Sequence, residues 1–334
     1  MPAPRSQSIM VAIRSIDRTS IPLIRKAAEL AKRFNASLRF VHVIPLAIGS
    51  GLRPAVVSQA LAHEIDSSAS SLGALCRKHV SASITCTVDV VCGYPPGDVI
   101  AQLALRHRPL FVLAASNTHA RIARIWLSNT DWELLRKCHC PVWLSKRNES
   151  QTSRVLAAVD PFHERAKPTG LDDRIVRRAI ELAGSPRRVQ LVHCYAPPQT
   201  IMVSAGVEAY WIPLPEADRK KLARQIRRRL QRLADRYEIP AANIVLHEGE
   251  VELELPSLAR SLKADLTVMG AISRSGVKKI FFGNTAEKVI DRMACDVVVV
   301  KPRGFKLLTQ LERTRRLNRP SRTAARSQSA AVHA

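Results

Sequence analysis

The chain has 334 residues, 46% hydrophobic and only 4% aromatic, with a formal charge of +24; that length suits two domains of ordinary size, each with a core of its own. No apolar run reaches the roughly 18 to 20 residues of a membrane-spanning helix, and the short run Ile9-Met10-Val11-Ala12-Ile13 after Arg5 does not make a signal peptide, so membrane insertion is not expected. Seven cysteines, odd in number and scattered through apolar segments, do not form a disulfide framework and fit a reducing cytoplasm.

In chain order, short β-branched runs alternate with longer amphipathic stretches. Strands are expected at residues 9–13, 37–43, 83–91, 110–114 and 142–145, and again at 155–159, 189–195, 244–247, 266–269 and 297–301. Several of these runs lack polar alternation, as in parallel strands covered by helices on both faces. The fold class expected is therefore α/β, two tandem doubly wound domains, each with a five-stranded parallel sheet. Asn129-Thr130 and Asn284-Thr285, Cys140 and Cys295, and Val142 and Val297 all stand 155 positions apart, which one duplication explains. The domains are expected at 1–147 and 154–303, with a polar linker at 148–153 and a basic tail at 304–334 that stays disordered beyond about Leu311.

Charge is concentrated in two places. The helix-like run 219–237 holds nine Lys or Arg against Asp235 alone, and the segment from Arg303 onward holds eight against one acid. Such stretches attract any polyanion, nucleic acid included, without sequence preference. Aromatics are not interleaved with them, so a base-stacking platform is not supported. In the first run Leu222, Ile226, Leu230 and Leu233 share one helical face, which reads as a helix covering a sheet with a solvated basic side.

The segment with chemistry follows the fourth strand of the second half. After Met269 it runs Gly270-Ala271-Ile272-Ser273-Arg274-Ser275-Gly276-Val277-Lys278-Lys279-Ile280-Phe281-Phe282-Gly283-Asn284-Thr285-Ala286-Glu287. Phosphate oxygens are bound by backbone N–H groups converging at a helix N-terminus, where the helix dipole adds positive potential. Here Gly270 would let the chain turn off the strand, Gly276 would relax the loop, and Gly283 would expose the amides that open the last helix. Arg274, Lys278 and Lys279 would neutralise phosphate.

This pattern resembles the signature of the universal stress protein family: glycine, two residues, glycine, nine residues, glycine, then Ser or Thr, with Arg-x-Gly inside the loop. The first-half ending Thr130-Asp131-Trp132 to Cys138, with Pro141-Val142-Trp143, and the second-half ending Gly283 to Glu287, with Val289-Ile290-Asp291 and Lys301-Pro302, resemble the two domain ends of its tandem subgroup. The likeness covers about residues 8 to 302 and implies an adenine nucleotide alpha hydrolase-like fold, a stress-response regulatory role and, in the second domain, ATP with Mg²⁺. Ser273 stands in the place of the second glycine and Asn284 in that of the hydroxyl residue, which Thr285 would supply one position later. Asn284 is open to a second reading, a helix cap answered by Glu287 in a capping box. The resemblance places an acid at the end of the first strand on the ribose or base; Asp160 sits there and also reads as a turn residue before Pro161.

The first half lacks these features. Ala115, Thr118 and Ser128 occupy its three glycine places and Arg14 replaces the acid, so it is expected to be structural or a partner surface. Family likeness also implies that the final strands pair, Val142 to Leu144 beside Val297 to Val300, giving an intramolecular pseudo-dimer, with a homodimer as the other arrangement. Cys138-His139-Cys140, His42 and His193 read as core or turn residues rather than as zinc ligands or catalysts. No Gly-x-Ser-x-Gly elbow, Walker loop or His-Glu-x-x-His pattern is present. Two other functions stay open: polyanion binding through the basic helix and tail, and slow ATP hydrolysis or autophosphorylation.

Overall fold

The computed structural model describes residues 7–46, 54–116, 129–161, 170–205, 208–270 and 284–302. In the first half, β1 (Ser8–Ile13), α1 (Ile21–Phe34), β2 (Ser37–Ile44), α2 (Pro54–His79), β3 (Cys86–Cys92), α3 (Pro96–His107), β4 (Val112–Ala115), α4 (Asn129–Lys137) and β5 (Val142–Ser145) follow in order. The second half has β6 (Val155–Ala158), α5 (Leu171–Ala183), β7 (Val189–Tyr195), a hairpin of β8 (Thr200–Ala205) and β9 (Glu208–Pro213), and α6 (Glu216–Arg236). It closes with β10 (Ile244–Glu248), α7 (Val251–Ser261), β11 (Leu266–Gly270), α8 (Asn284–Arg292) and β12 (Asp296–Val300).

The ten strands expected are present with ends shifted by a few residues, and the β8–β9 hairpin was not expected. It pairs antiparallel from Thr200↔Pro213 to Ala205↔Glu208 and stands apart from the main sheet. A reading built on strands separated by helices has no place for a hairpin between a strand and its crossover helix. The tail at 304–334 lies outside the described residues.

All ten main strands form one sheet, ordered β10-β7-β6-β11-β12-β5-β4-β1-β2-β3. Within each half the pairing is parallel; between halves β12 and β5 pair antiparallel, with Val297↔Leu144, Val298↔Trp143 and Val299↔Val142 in register. Every residue of β5 and β12 is buried, as strands covered on both faces require. The expectation of one core per domain is corrected by this continuity. One apolar cluster packs α1, α2, α5 and α6 on one face of the sheet, the other packs α3, α4, α7 and α8 on the opposite face, and both run through the two halves.

Polar contacts fix the seam. Asp296, buried at the start of β12, accepts from the Lys26 ammonium, from Trp143 Nε1 at 2.7 Å and from the backbone N–H groups of Lys146 and Arg147 at 2.9 and 3.1 Å, all from the first half. Lys146 Nζ donates to the carbonyls of Ile290 and Met293 at the end of α8, and Lys301 Nζ donates to the carbonyl of Leu135 in α4. Lys146 and Lys301, like Leu135 and Ile290, are 155 positions apart, so each half caps the other's last helix about a pseudo-twofold axis. Burial pulls both lysines down to about 8. At the linker, the N–H groups of Ser153 and Arg154 each donate to Asp265 at 3.0 Å.

Candidate functional site

In each half the first strand separates the second from the fourth: β1 lies between β2 and β4, and β6 between β7 and β11. Crossovers leave this point in opposite directions, so a crevice opens at the carboxyl ends of the two central strands.

In the second half that crevice is bounded by β6, β11 and α8. Met269 pairs with Ala158, which places it beside the chain that continues to Val159 and Asp160. The Met269 side chain is buried in the core. The N–H of Asp160 donates to Asp172 in the first turn of α5 at 3.3 Å, which fixes the strand end against that helix. Gly270 has a different reason for being glycine than the turn expected of it. It has no left-handed φ; a Cβ there would come within 2.7 Å of the Leu171 side chain, so glycine admits α5 against the strand. Asn284 and Thr285 are exposed at the start of α8, and the next residue, Ala286, is buried. Glu287 reaches across the seam to Arg136 at 2.6 Å. Ser273, Arg274, Gly276 and Gly283 lie outside the described residues.

The matching crevice of the first half is a cleft of about 490 Å³ between the ends of β1 and β4 and the start of α4. Its floor differs chemically. Asp131, 1% exposed in the first turn of α4, is held by Arg14 Nη2 at 3.2 and 3.1 Å through its two carboxylate oxygens. A carboxylate at a helix N-terminus satisfies the dipole that would otherwise attract a phosphate, and Arg14 neutralises it. Asp131 corresponds to Ala286. Among the described residues, the Arg14–Asp131 ion pair lies at the helix start that lines this cleft. Sequence reasoning treated Arg14 only as a lost acid. Its partner was legible as a second unmatched charge, Asp131, one repeat before an alanine.

The two histidines at the strand ends are structural, as expected: His42 Nδ1 meets the Ile13 carbonyl at 2.9 Å and His193 Nδ1 meets that of Val159 at 2.8 Å. Each ties the second strand to the end of the first. Cys138 and Cys140 are buried with their sulfurs 3.3 Å apart, and one ring nitrogen of His139 completes a group of donors within 4.8 Å. The contact between the two thiols lowers Cys138 and, with burial, raises Cys140. Burial pushes the Cys76 and Cys194 thiols up to about 12, which makes them poor nucleophiles. Among the described residues no helix is long and apolar enough to cross a membrane.

A duplicated doubly wound unit with a switch point in each half defines a tandem α/β architecture. Comparison with known proteins supplies the family. The universal stress protein family matches residues 6–146 and again 152–301, and the chain belongs to that family. It is 29% identical over 241 residues to universal stress protein E of Escherichia coli, covering 71% of this chain and 74% of that protein. The universal stress protein E of Photorhabdus laumondii is 25% identical over 300 residues, covering 85% and 91%. Among solved structures, a functionally unknown protein from Pseudomonas aeruginosa superposes with a TM-score of 0.61 at 18% identity, over 94% of this chain and 98% of that one. A universal stress protein from Archaeoglobus fulgidus gives 0.58 at 16% identity, over 89% and 99%. These likenesses establish the fold.

Proposed function

We propose that this universal stress protein is a regulatory protein that binds an adenine nucleotide, ATP with Mg²⁺, in its second domain alone. One observation carries the assignment: both last helices begin Asn-Thr, but the third residue is a neutralised carboxylate in the first domain, Asp131 with Arg14, and Ala286 in the second. Amides at the start of α8, with Thr285 and the Arg274 loop, would hold phosphate, and Asp160 would take the ribose or base. The first domain then serves the second by covering its sheet edge at β5 and β12. Occupancy of the crevice, rather than turnover, is the regulatory event.

Calorimetry on the full chain with Mg-ATP tests this. Wild type should bind one equivalent, and Asn284→Asp, an isosteric change at an exposed position, should weaken binding by about tenfold or more by setting a negative charge against the phosphates. Asp160→Ala should weaken it as well. Unchanged affinity in both variants, or steady phosphate release by wild type, would refute the proposal.

A further inference from the structure

Nine Lys or Arg lie in α6, and they fall into two groups. Arg219 pairs with Glu248, Lys220 with Glu216 at 2.6 Å and Arg236 with Asp173 at 2.8 Å, while Arg229 donates to the Pro161 carbonyl at 2.9 Å. Lys221, Arg224, Arg227, Arg228 and Arg232 are exposed and meet no carboxylate among the described residues. Asp235, the acid nearest the end of the helix, is engaged by Gln231 at 2.7 Å.

Four of these five, Lys221, Arg224, Arg228 and Arg232, recur at intervals of three, four and four residues, so they form one stripe along the helix, about 16 Å long at about 1.5 Å per residue, with Arg227 on its flank. Ile226, Leu230 and Leu233 on the inner side are buried in the core, which holds the stripe rigidly outward. That packing also consumes the apolar face a helix needs to enter a bilayer surface. What remains outside is a row of charge, three of its four members guanidinium groups whose planar donors suit phosphate oxygens. No aromatic residue belongs to the row, so it has no means of stacking on a base.

We propose that the outer face of α6 is a docking surface for the phosphodiester backbone of duplex nucleic acid, without sequence preference. Its partner is a dense line of negative charge, about one per 1.7 Å of duplex axis, and its complement is a fixed line of cations on a chain of charge +24. The surface stands on α6 alone and is independent of the crevice in the second domain.

Four phosphate contacts give a definite salt signature: log K should fall against log salt with a slope share of about −3.6 from this stripe, or about 150-fold between about 50 and 200 mM. The experiment is fluorescence anisotropy of the full chain with a random-sequence duplex DNA across that range. The comparison is a variant carrying Lys221→Gln, Arg224→Gln, Arg228→Gln and Arg232→Gln, four exposed sites, with its melting temperature as the check on folding. The variant should lose about 3.6 units of slope, so that its deficit against wild type is greatest at low salt and shrinks about 150-fold between about 50 and 200 mM, while a chain ending at Pro302 keeps the stripe's share. Loss of the slope on truncation but not in the variant would assign the contact to the tail and overturn the proposal. So would binding to phosphatidylserine vesicles in preference to the duplex, or no duplex binding by wild type at low salt.

Discussion

The two domains share strand order, crossover pattern and the histidine that ties the second strand to the end of the first, yet they differ at the one place where a ligand would meet a helix start. The first domain has Arg14 and Asp131 there; the second has Asp160 and Ala286. Duplication supplied two crevices, and a change of two charges filled the anion position of one from within. Loss of the glycine pattern accompanies that change, and among the described residues a cleft of about 490 Å³ is present in the first half.

The seam shows the same inequality. Lys146 and Lys301 act as equivalents, each capping the other half's last helix, but Asp296, which gathers four donors from the first half, has Pro141 as its counterpart. The interface is thus anchored from one side, and the comparison is broken most strongly by removing that anchor. Asp296→Ala leaves the buried Lys26 ammonium without its anion and Trp143 Nε1 without an acceptor. It should cost about 3 to 5 kcal/mol, visible in urea unfolding. Pro141→Ala should cost far less, and equal losses would mean that the seam is not anchored by Asp296.

A second change sharpens the contrast between the crevices. Asp131→Ala removes the internal anion and leaves Arg14 at an open helix start, so the first domain should acquire weak affinity for phosphate-bearing ligands and Mg-ATP stoichiometry should rise above one. Because the Arg14 side chain is 42% exposed, the ion pair is partly screened, and its loss should cost only about 1 kcal/mol. Stoichiometry that stays at one in saturating calorimetry would show that the ion pair is not what closes this site.

A further effect concerns pH. Burial pulls Lys146 from 10.5 down to about 8, so between these values the unfolded chain carries a proton that the native chain has released. Stability from this group therefore rises with pH through that window and is flat below it. Cys295, Asp291 and Asp296 favour the ammonium and oppose the burial, and the value near 8 is what remains. Buried thiols such as Cys76 and Cys194 are held up near 12 and oppose the trend above their ordinary range. The measurement is accordingly a difference: wild type should gain stability relative to Lys146→Met from about pH 8 to about 10.5, and a constant difference would mean that Lys146 titrates as an ordinary surface lysine.

Much was legible from sequence because its signals are local or periodic. The apolar runs at Val142 to Ser145 and Val297 to Val300 read as buried parallel strands without any knowledge of their neighbours. The separation of 155 residues between matched pairs revealed the duplication, and the spacing of Gly270, Gly276 and Gly283 carried the family. What the sequence did not determine depends on which residues meet across large separations. The β5–β12 pairing was expected from the family likeness and is present, though no periodicity encodes it; the sharing of both cores between the halves, which follows from it, was not expected. At Gly270 the sequence suggested a turn, which runs into residues outside the described ones, and did not suggest the close approach of Leu171 of α5. The pairing of Arg14 with Asp131, 117 positions apart, is likewise invisible along the chain, because Coulomb attraction acts through space and only the folded sheet brings the end of β1 to the start of α4.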